Sequence, residues 1–463
     1  MSKFSIKTST RTINEAGGRA FTMNAETELT HAVLTTFLEN KPYESGDSRL
    51  ERIQQLVREN NPKFVSNLAI VARKEFNLRS VSHVLIGELS KNHKGDSLVK
   101  DTVVTCAIRP DDLIEIIAYI GRPIPKQIKR GVRNALLKFD RYQLAKYRGE
   151  GKSINLVDIF NLCHPKVQHA SKEQKKAWKN LIQDKLTSFD TWETEISNTR
   201  DKKKSWEMLI SENKLGYMAL LRNLNNLIKE DVSDRAISLA IKKLTDENEI
   251  RKSKQLPFRF LTAYENVTGN RKLTDAISLA MDYAVSNTPI LSGKTLIAID
   301  CSGSMRNVMD KASIFGATLL KSNVNSDLIL YDTDVKELTL STRTPVVDLA
   351  KSIKDADMGG GTETSLVFGY ALHKEKEYSR IIIISDNESW NEVSVQAAYN
   401  AYRTYNNPFV YAIDIQGYGT KDIRGGKVFH LCGWSNRLLD FIGAIEKGDS
   451  LVSYIKKYKN NIN

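Results

Sequence analysis

The sequence predicts a multidomain chain: an all-α helical-repeat part over residues 1–288, then an α/β part over residues 289–463. Three observations predict it. Apolar residues recur at helical spacing from about Thr27 to Ser286, and after Thr288-Pro289 they gather into short runs of strand length. Charge divides near the same place: residues 1–290 carry 48 Lys and Arg against 35 Asp and Glu, whereas 291–463 carry 20 against 20. Finally, a carboxylate and two hydroxyls, Asp300, Ser302 and Ser304, follow the first strand-like run, where an open α/β sheet binds ligands.

Residues 1–25 are polar and glycine-bearing and read as an arm or loop. Beyond them, Leu29, Val33, Leu34, Phe37 and Leu38 share a helix face, as do Val81, Val84, Leu85 and Leu89. Asn60-Asn61-Pro62, Gly95, Arg109-Pro110 and Gly121-Arg122-Pro123 punctuate the pattern into helices of about 10–15 residues. Further helices are expected near 154–162, 172–185, 205–229, 233–244 and 256–286. No strict repeat occurs, yet many short helices in succession predict a degenerate helical-repeat solenoid. In the second part, strands are expected at 294–300, 327–331, 380–385, 408–413 and 427–431. Helices at 306–322, 345–355, 365–377, 391–405 and 436–446 alternate with or follow them, which argues for a parallel sheet covered on both faces.

Cys106, Cys163, Cys301 and Cys432 are far apart without C-x-x-C spacing, which excludes a zinc ribbon and fits a reducing compartment. The start lacks a signal-peptide core and no run of about 18 apolar residues occurs, so a cytoplasmic protein with no membrane partner is expected.

Two further features belong with Asp300, Ser302 and Ser304. The glycine run Gly359-Gly360-Gly361 precedes Thr362, and Asp386 ends the most apolar strand. Five oxygen-bearing side chains in the order D-x-S-x-S, T, D suit a hard divalent cation, Mg²⁺ above all. This order resembles the metal-ion-dependent adhesion site of von Willebrand factor A domains, a Rossmann-like fold. The resemblance implies a position left open for an acidic ligand's oxygen; which carboxylate coordinates directly stays open. A D-x-S-x-S run by itself can also be a turn or helix cap. A nucleophilic serine would need an oriented base, and G-x-S-x-G is absent. Glu363 and Glu388 beside the candidate ligands read as solvated loop carboxylates or as supports of the ligands.

The densest basic stretch runs from Arg122 to Lys152 and includes Lys126, Lys129, Arg130, Arg133, Lys138, Arg141, Lys146 and Arg148. On a helix, Lys126, Lys129, Arg130 and Arg133 cluster opposite Ile128, Val132, Ala135 and Phe139. One face can be buried while four cations point outward toward phosphates, with salt-sensitive binding. Tyr142 and Tyr147 could stack on unpaired bases, and Lys172, Lys175, Lys176 and Lys179 form a weaker patch. A solvated charged face is the plain alternative.

NEAGGRAF at 14–21, LRSVSHVLI at 78–86 and the stretch from Arg130 to Lys166 resemble the TROVE module of the Ro60 autoantigen family. WEMLI at 206–210, MALLRNLNNL at 218–227 and QLPFRFLTAYE at 255–265 continue the resemblance. It implies a HEAT-like helical ring closed by the A domain of the same chain, hence a monomer, and an RNA-binding protein rather than an enzyme. The ring's cavity would take single-stranded 3′ ends of misfolded RNA, and its basic outer surface would hold small noncoding Y-like RNA. Lys146, Arg148 or Lys152, and His164 match the family's Y RNA-contacting positions, and an exoribonuclease is an implied partner. Two other classes compete: a Mg²⁺-dependent protein-binding scaffold, which leaves the basic part unexplained, and a metal-dependent nuclease, which commonly needs two ions.

Overall fold

The fold was obtained as a computed structural model, which describes residues 11–14, 19–35, 45–186, 191–356, 358–389, 394–418, 420–432, 439, 442, 446 and 451–458. These fall into two compact units. A helical unit holds the described residues of Met23–Asp190 and Asp449–Asn463. A mixed unit holds those of Met1–Thr22, Thr191–Cys432 and Leu438–Gly448.

The mixed unit contains both the chain's first strands, β1 (Arg11–Ile13) and β2 (Arg19–Thr22), and its main sheet. The helical unit is built from α1 (Ala25–Leu34), α2 (Gly46–Glu59), α3 (Pro62–Lys74), α4 (Arg79–Asn92) and α5 (Leu98–Cys106). There follow α6 (Pro110–Ile120), α7 (Lys126–Leu136), α8 (Arg141–Lys146), α9 (Leu156–Cys163) and α10 (Lys172–Ile182). The expected punctuation is where these helices stop and start: Pro62 and Pro110 open α3 and α6, where a missing N–H costs nothing. The positions shared by one helix face, such as Val81, Val84, Leu85 and Leu89, are buried as periodicity predicts.

A buried ionic knot ties α3, α4 and α6 together. Asp112, in the first turn of α6, is fully buried and accepts from Arg73 (2.9 Å), from Arg79 (2.9 Å) and from the backbone N–H groups of Ile108 and Arg109. His83 Nε2 lies 3.2 Å from it. Burial alone would raise the Asp112 carboxyl, but bonds from His83 and Arg73 outweigh it and hold the group well below the usual carboxylate range.

In the mixed unit, α11 (Trp192–Asn198), α12 (Lys202–Ser211), α13 (Tyr217–Lys229), α14 (Asp234–Leu244), α15 (Glu247–Ser253), α16 (Leu261–Asn266) and α17 (Arg271–Ala284) precede the sheet. The single helix expected over 205–229 is broken before Gly216, which adopts extended backbone and starts α13. The one expected over 256–286 is divided before Asn270, whose side chain caps α17 through the Leu273 N–H. Asp282 of α17 pairs with Lys321 at 2.9 Å and accepts from the Val346 N–H at 2.9 Å. These helices therefore pack with the sheet-bearing part, although secondary structure changes type near residue 290.

The main sheet has the order β5-β4-β3-β6-β7-β9. Its strands are β3 (Thr295–Asp300), β4 (Ser326–Tyr331), β5 (Val335–Leu338), β6 (Arg380–Ser385), β7 (Phe409–Asp414) and β9 (Val428–Cys432). All neighbours are parallel except β5, which hairpins back antiparallel on β4. A wholly parallel sheet was the expectation; Val335–Leu338 is short and half-exposed and gave no buried-strand signal. Helices α18 (Met309–Ser322), α19 (Val346–Asp355), α20 (Ser365–His373) and α21 (Val395–Tyr405) connect the strands, and α22 (Leu451–Lys457) belongs to the helical unit. Alternate strand residues Leu296, Ala298, Ile381 and Ile383 share a core with Phe368 of α20 and Tyr399 of α21. The helix expected over 436–446 lies largely outside the described residues. A second sheet joins β1, β2 and β8 (Thr420–Lys421), so Arg11–Ile13 and Arg19–Thr22 of the arm are strand.

Candidate metal centre and nucleic-acid interface

The connection after β3 leads to β4 on one side of the sheet, and the connection after β6 leads to β7 on the other. The crevice between their carboxyl ends is a topological switch point. Asp300 closes β3 there, fully buried. Its Oδ1 accepts from the Ser302 N–H at 2.9 Å, and its Oδ2 from the Ser385 hydroxyl at 2.7 Å. The turn so formed puts the Ser302 and Ser304 hydroxyls 3.3 Å apart. Gln416 donates to the Ser304 carbonyl at 3.0 Å and holds the turn from outside.

Asp332, just after β4, anchors the glycine loop. Its Oδ2 accepts from the Gly360 N–H at 2.8 Å, and its carbonyl from the Glu363 N–H at 2.8 Å. A Cβ on Gly360 would stand 2.7 Å from that carboxylate oxygen, so the approach requires glycine. The Gly303 N–H donates to the Gly360 carbonyl at 3.0 Å, tying this loop to the serine turn. Thr362 is buried beside it, and its carbonyl accepts from the Ser389 hydroxyl at 3.2 Å.

Asp386 follows Ser385 and is also buried. Its Oδ1 accepts from the Glu388 N–H at 3.2 Å, while Oδ2 has no hydrogen-bond partner. Burial, and then the charge on Asp300, push the Asp386 carboxyl up. Burial likewise pushes Asp300 up, against the bonds from Ser385 and Ser302. Two like charges with an orphaned oxygen and hydroxyls beside them suit a hard cation. Among the described residues no group of three or more His, Cys, Asp or Glu side chains could hold a metal, so the Ser and Thr oxygens would have to complete any such shell.

Glu388 departs from the solvated reading. It is buried, and the hydroxyl of Thr420, on β8, donates to its Oε1 at 3.2 Å. From the N-terminal arm, Asn14 donates to the Ser389 carbonyl at 2.6 Å. Ser385, Asp332, Ser389, Gln416 and Asn14 thus support the site without having been singled out from sequence. Only Ser385, adjoining Asp386 at a strand end, carried a readable signal.

In the helical unit, α7 divides as its spacing predicts. Ile128, Val132, Ala135 and Phe139 are buried; Lys126 and Arg130 are exposed, Lys129 and Arg133 half-buried. Arg122, Lys126, Lys129 and Arg130 make no ion pair among the described residues. Arg133 donates through Nε to the Cys163 carbonyl at the end of α9. Exposed His164 caps that helix at φ 51°, a left-handed position usually given to glycine. Lys146 is exposed, its Nζ 5.7 Å from the Tyr142 ring centre and 5.9 Å from that of Tyr147. Arg148 and Lys152 differ: Arg148 pairs with Glu150 (3.3 Å) and Asp184, and Lys152 with Glu115. The structure groups Arg130 and Arg133 with Lys100, Asn134, Lys166 and His169 around a cleft of about 230 Å³. Lys100, Lys166 and His169 come from other elements, and no single stretch of sequence shows them together.

Residues 182–280 match the TROVE domain family, and residues 294–443 match the Ro60 vWA domain family. Together the two matches cover more than half of the chain. The chain thus carries a match to the TROVE domain followed by a match to the Ro60 vWA domain. RNA-binding protein RO60 of Caenorhabditis elegans is 23% identical over 225 residues, which is 44% of this chain and 35% of that protein. RNA-binding protein RO60 of Deinococcus radiodurans is 27% identical over 201 residues, 38% of each. Telomerase protein component 1 of Mus musculus is 42% identical over 83 residues, 18% of this chain and 3% of that protein. The alignments thus span little more than a third of the RO60 relatives' length and far less of the telomerase component's. The crystal structure of the Deinococcus radiodurans RO (RSR) protein superimposes with a TM-score of 0.63 at 16% identity, covering 90% of this chain and 99% of that one. That likeness establishes the fold.

The A-domain match contains Asp300, Ser302, Ser304, Thr362 and Asp386. Helix α7 lies outside both matched segments, so its interpretation rests on its own charge and geometry. No helix among the described residues is long and apolar enough to cross a membrane.

Proposed function

We propose that this chain is an RNA-binding protein of a Ro-type ribonucleoprotein, gripping RNA through the basic face around α7. The observation that carries this is the division of α7 into a buried apolar face and an outward face of cations free of ion pairs. Cations already neutralised by carboxylates release no counterions on binding; these can. The finer reading draws on the likeness of two segments to the TROVE and Ro60 vWA domains. A small noncoding, Y-like RNA lies on the outer basic surface, and single-stranded 3′ ends of misfolded RNA enter the cavity of a ring. The setting is cytoplasmic RNA quality control, with an exoribonuclease as partner. Domain limits of 1–288 for the RNA-binding part and 289–463 for the A domain belong to the same reading. Asp300, Ser302, Ser304, Thr362 and Asp386 would hold one Mg²⁺, which would relieve the two carboxylates and offer an open position to an acidic ligand.

Filter binding of a structured RNA with a single-stranded 3′ tail, at rising salt, tests the reading. Affinity should fall steeply with salt, and removing charge at Lys129, Arg130 and Arg133 should weaken it, while Asp300→Ala changes it little. Salt-independent binding, or equal losses from both sets of changes, overturns it. The orphaned Asp386 oxygen favours a second role, Mg²⁺-dependent capture of a partner's carboxylate. An acidic peptide that binds in Mg²⁺ but equally in chelator would dismiss that role.

A further inference from the structure

The cleft beside α7 has a composition that a strand's backbone does not explain. Lys100 comes from α5, Arg130, Arg133, Asn134 and Leu137 from α7 and its end, and Lys166 and His169 from the segment after α9. Helix α7 brings Lys100 to the cleft by lying unusually close to α5: a Cβ on Gly131 would stand 2.7 Å from Val103 Cβ and 3.0 Å from the Lys100 carbonyl. Arg133 is aimed by its bond to the Cys163 carbonyl. Lys100 has a carboxylate neighbour, Asp101 at 3.2 Å, but Arg130 and Lys166 have no ion pair among the described residues.

Four cations and two neutral donors around about 230 Å³ exceed what one phosphodiester needs. A phosphodiester carries a single charge, and its chain must enter and leave, which suits an open convex face. A phosphate monoester carries close to two charges at neutral pH and three acceptor oxygens, and only one substituent leaves it. Guanidinium groups bind such oxygens through paired donors, and Leu137 adds the one apolar side chain to the cleft's lining. We propose that this cleft seats the terminal phosphate of an RNA strand, so that the protein reads a strand end there as well as a backbone. The inference rests on the RNA-binding reading given above.

Fluorescence anisotropy with one short oligouridine, prepared with a 5′-phosphate, a 3′-phosphate or hydroxyls at both ends, tests it on the full chain. One phosphorylated form should bind about tenfold tighter than the hydroxyl-ended strand, and which one identifies the end. The Arg130→Gln/Lys166→Gln double variant should lose that preference. The Lys311→Gln/Lys351→Gln variant, which removes equal charge from exposed positions of the mixed unit, should keep it. Equal affinity for all three strands, or a preference that survives Arg130→Gln/Lys166→Gln, overturns the proposal while leaving RNA binding intact. Inorganic phosphate that competes as well as the phosphorylated strand at equal concentration also overturns it, assigning the cleft to free phosphate. Failure of every strand to bind would instead overturn the RNA-binding reading beneath it.

Discussion

Two clusters of buried carboxylate in this chain are opposites. Asp112, in the helical unit, is enclosed by Arg73, Arg79, His83 and two backbone N–H groups, and its charge is held far more easily than in water. Asp300 and Asp386, in the mixed unit, are equally buried but face each other and hydroxyls, and one oxygen of Asp386 has no partner. The helical unit supplies its own counter-charge, and the charge is therefore structural. The mixed unit leaves its charge unmatched, which makes the crevice receptive to a cation. Burial by itself does not distinguish architecture from a site; compensation does.

The comparison breaks most readily at Asp112. Asp112→Ala should cost about 3–5 kcal/mol in denaturant unfolding, since it strands buried cations. Asp386→Ala in metal-free buffer should be neutral or slightly stabilising, because it removes an uncompensated charge. A loss at Asp386 comparable to that at Asp112 would erase the contrast.

Added Mg²⁺ should sharpen it. At a hundredfold excess over its dissociation constant, a ligand of the folded state stabilises by about 2.7 kcal/mol. Thermal unfolding should show such a rise for the unaltered chain and for any Asp112 variant that still folds, but none for Asp386→Ala.

Acid offers a third test. The Asp112 carboxyl is lowered in the folded state relative to an unfolded value of about 3.9, so its stabilisation is complete above that value and is lost as pH falls below it. Stability followed from neutral pH downward should therefore drop more steeply in the unaltered chain than in Asp112→Asn. Parallel acid limbs would show that the knot contributes little.

The smallest effect separates free from paired cations. Arg130→Gln should reduce the salt slope of single-strand binding by about 0.7, whereas Lys152→Gln, already paired with Glu115, should scarcely change it. Equal slopes for the two would mean that the ion pair opens on binding.

Much of this could be read from the chain beforehand, and the exceptions share a cause. Helix α7 was legible because burial and exposure follow one local period, and the placement of Asp300 and Asp386 because each ends or directly follows a buried strand. Strands β1, β2 and β8 have three, four and two residues, too few for alternation to be visible, and their pairing is non-local. The knot at Asp112 draws Arg73, Arg79 and His83 from other helices, so only its helix-opening RPDD run was visible. Glu388 looked solvated because nothing nearby in sequence indicates that Thr420 of β8 bonds it. The cleft was half visible: Arg130 and Arg133 lay in the basic run, whereas Lys100 joins them through the close crossing that Gly131 permits, and Lys166 from the segment after α9, whose end Arg133 bonds.

The small sheet also sets a schedule. Phe21 pairs with Lys421, four hundred positions later, and Asn14 reaches Ser389. At roughly 5–20 residues per second of synthesis, Phe21 waits tens of seconds for its partner strand to leave the ribosome. A two-stranded ribbon is marginal alone in water, so through that interval β1 and β2 have no third strand to hold them. The crevice loop gains its last support only when the two ends of this pairing meet, which makes assembly of the candidate metal centre one of the latest events in the chain's folding.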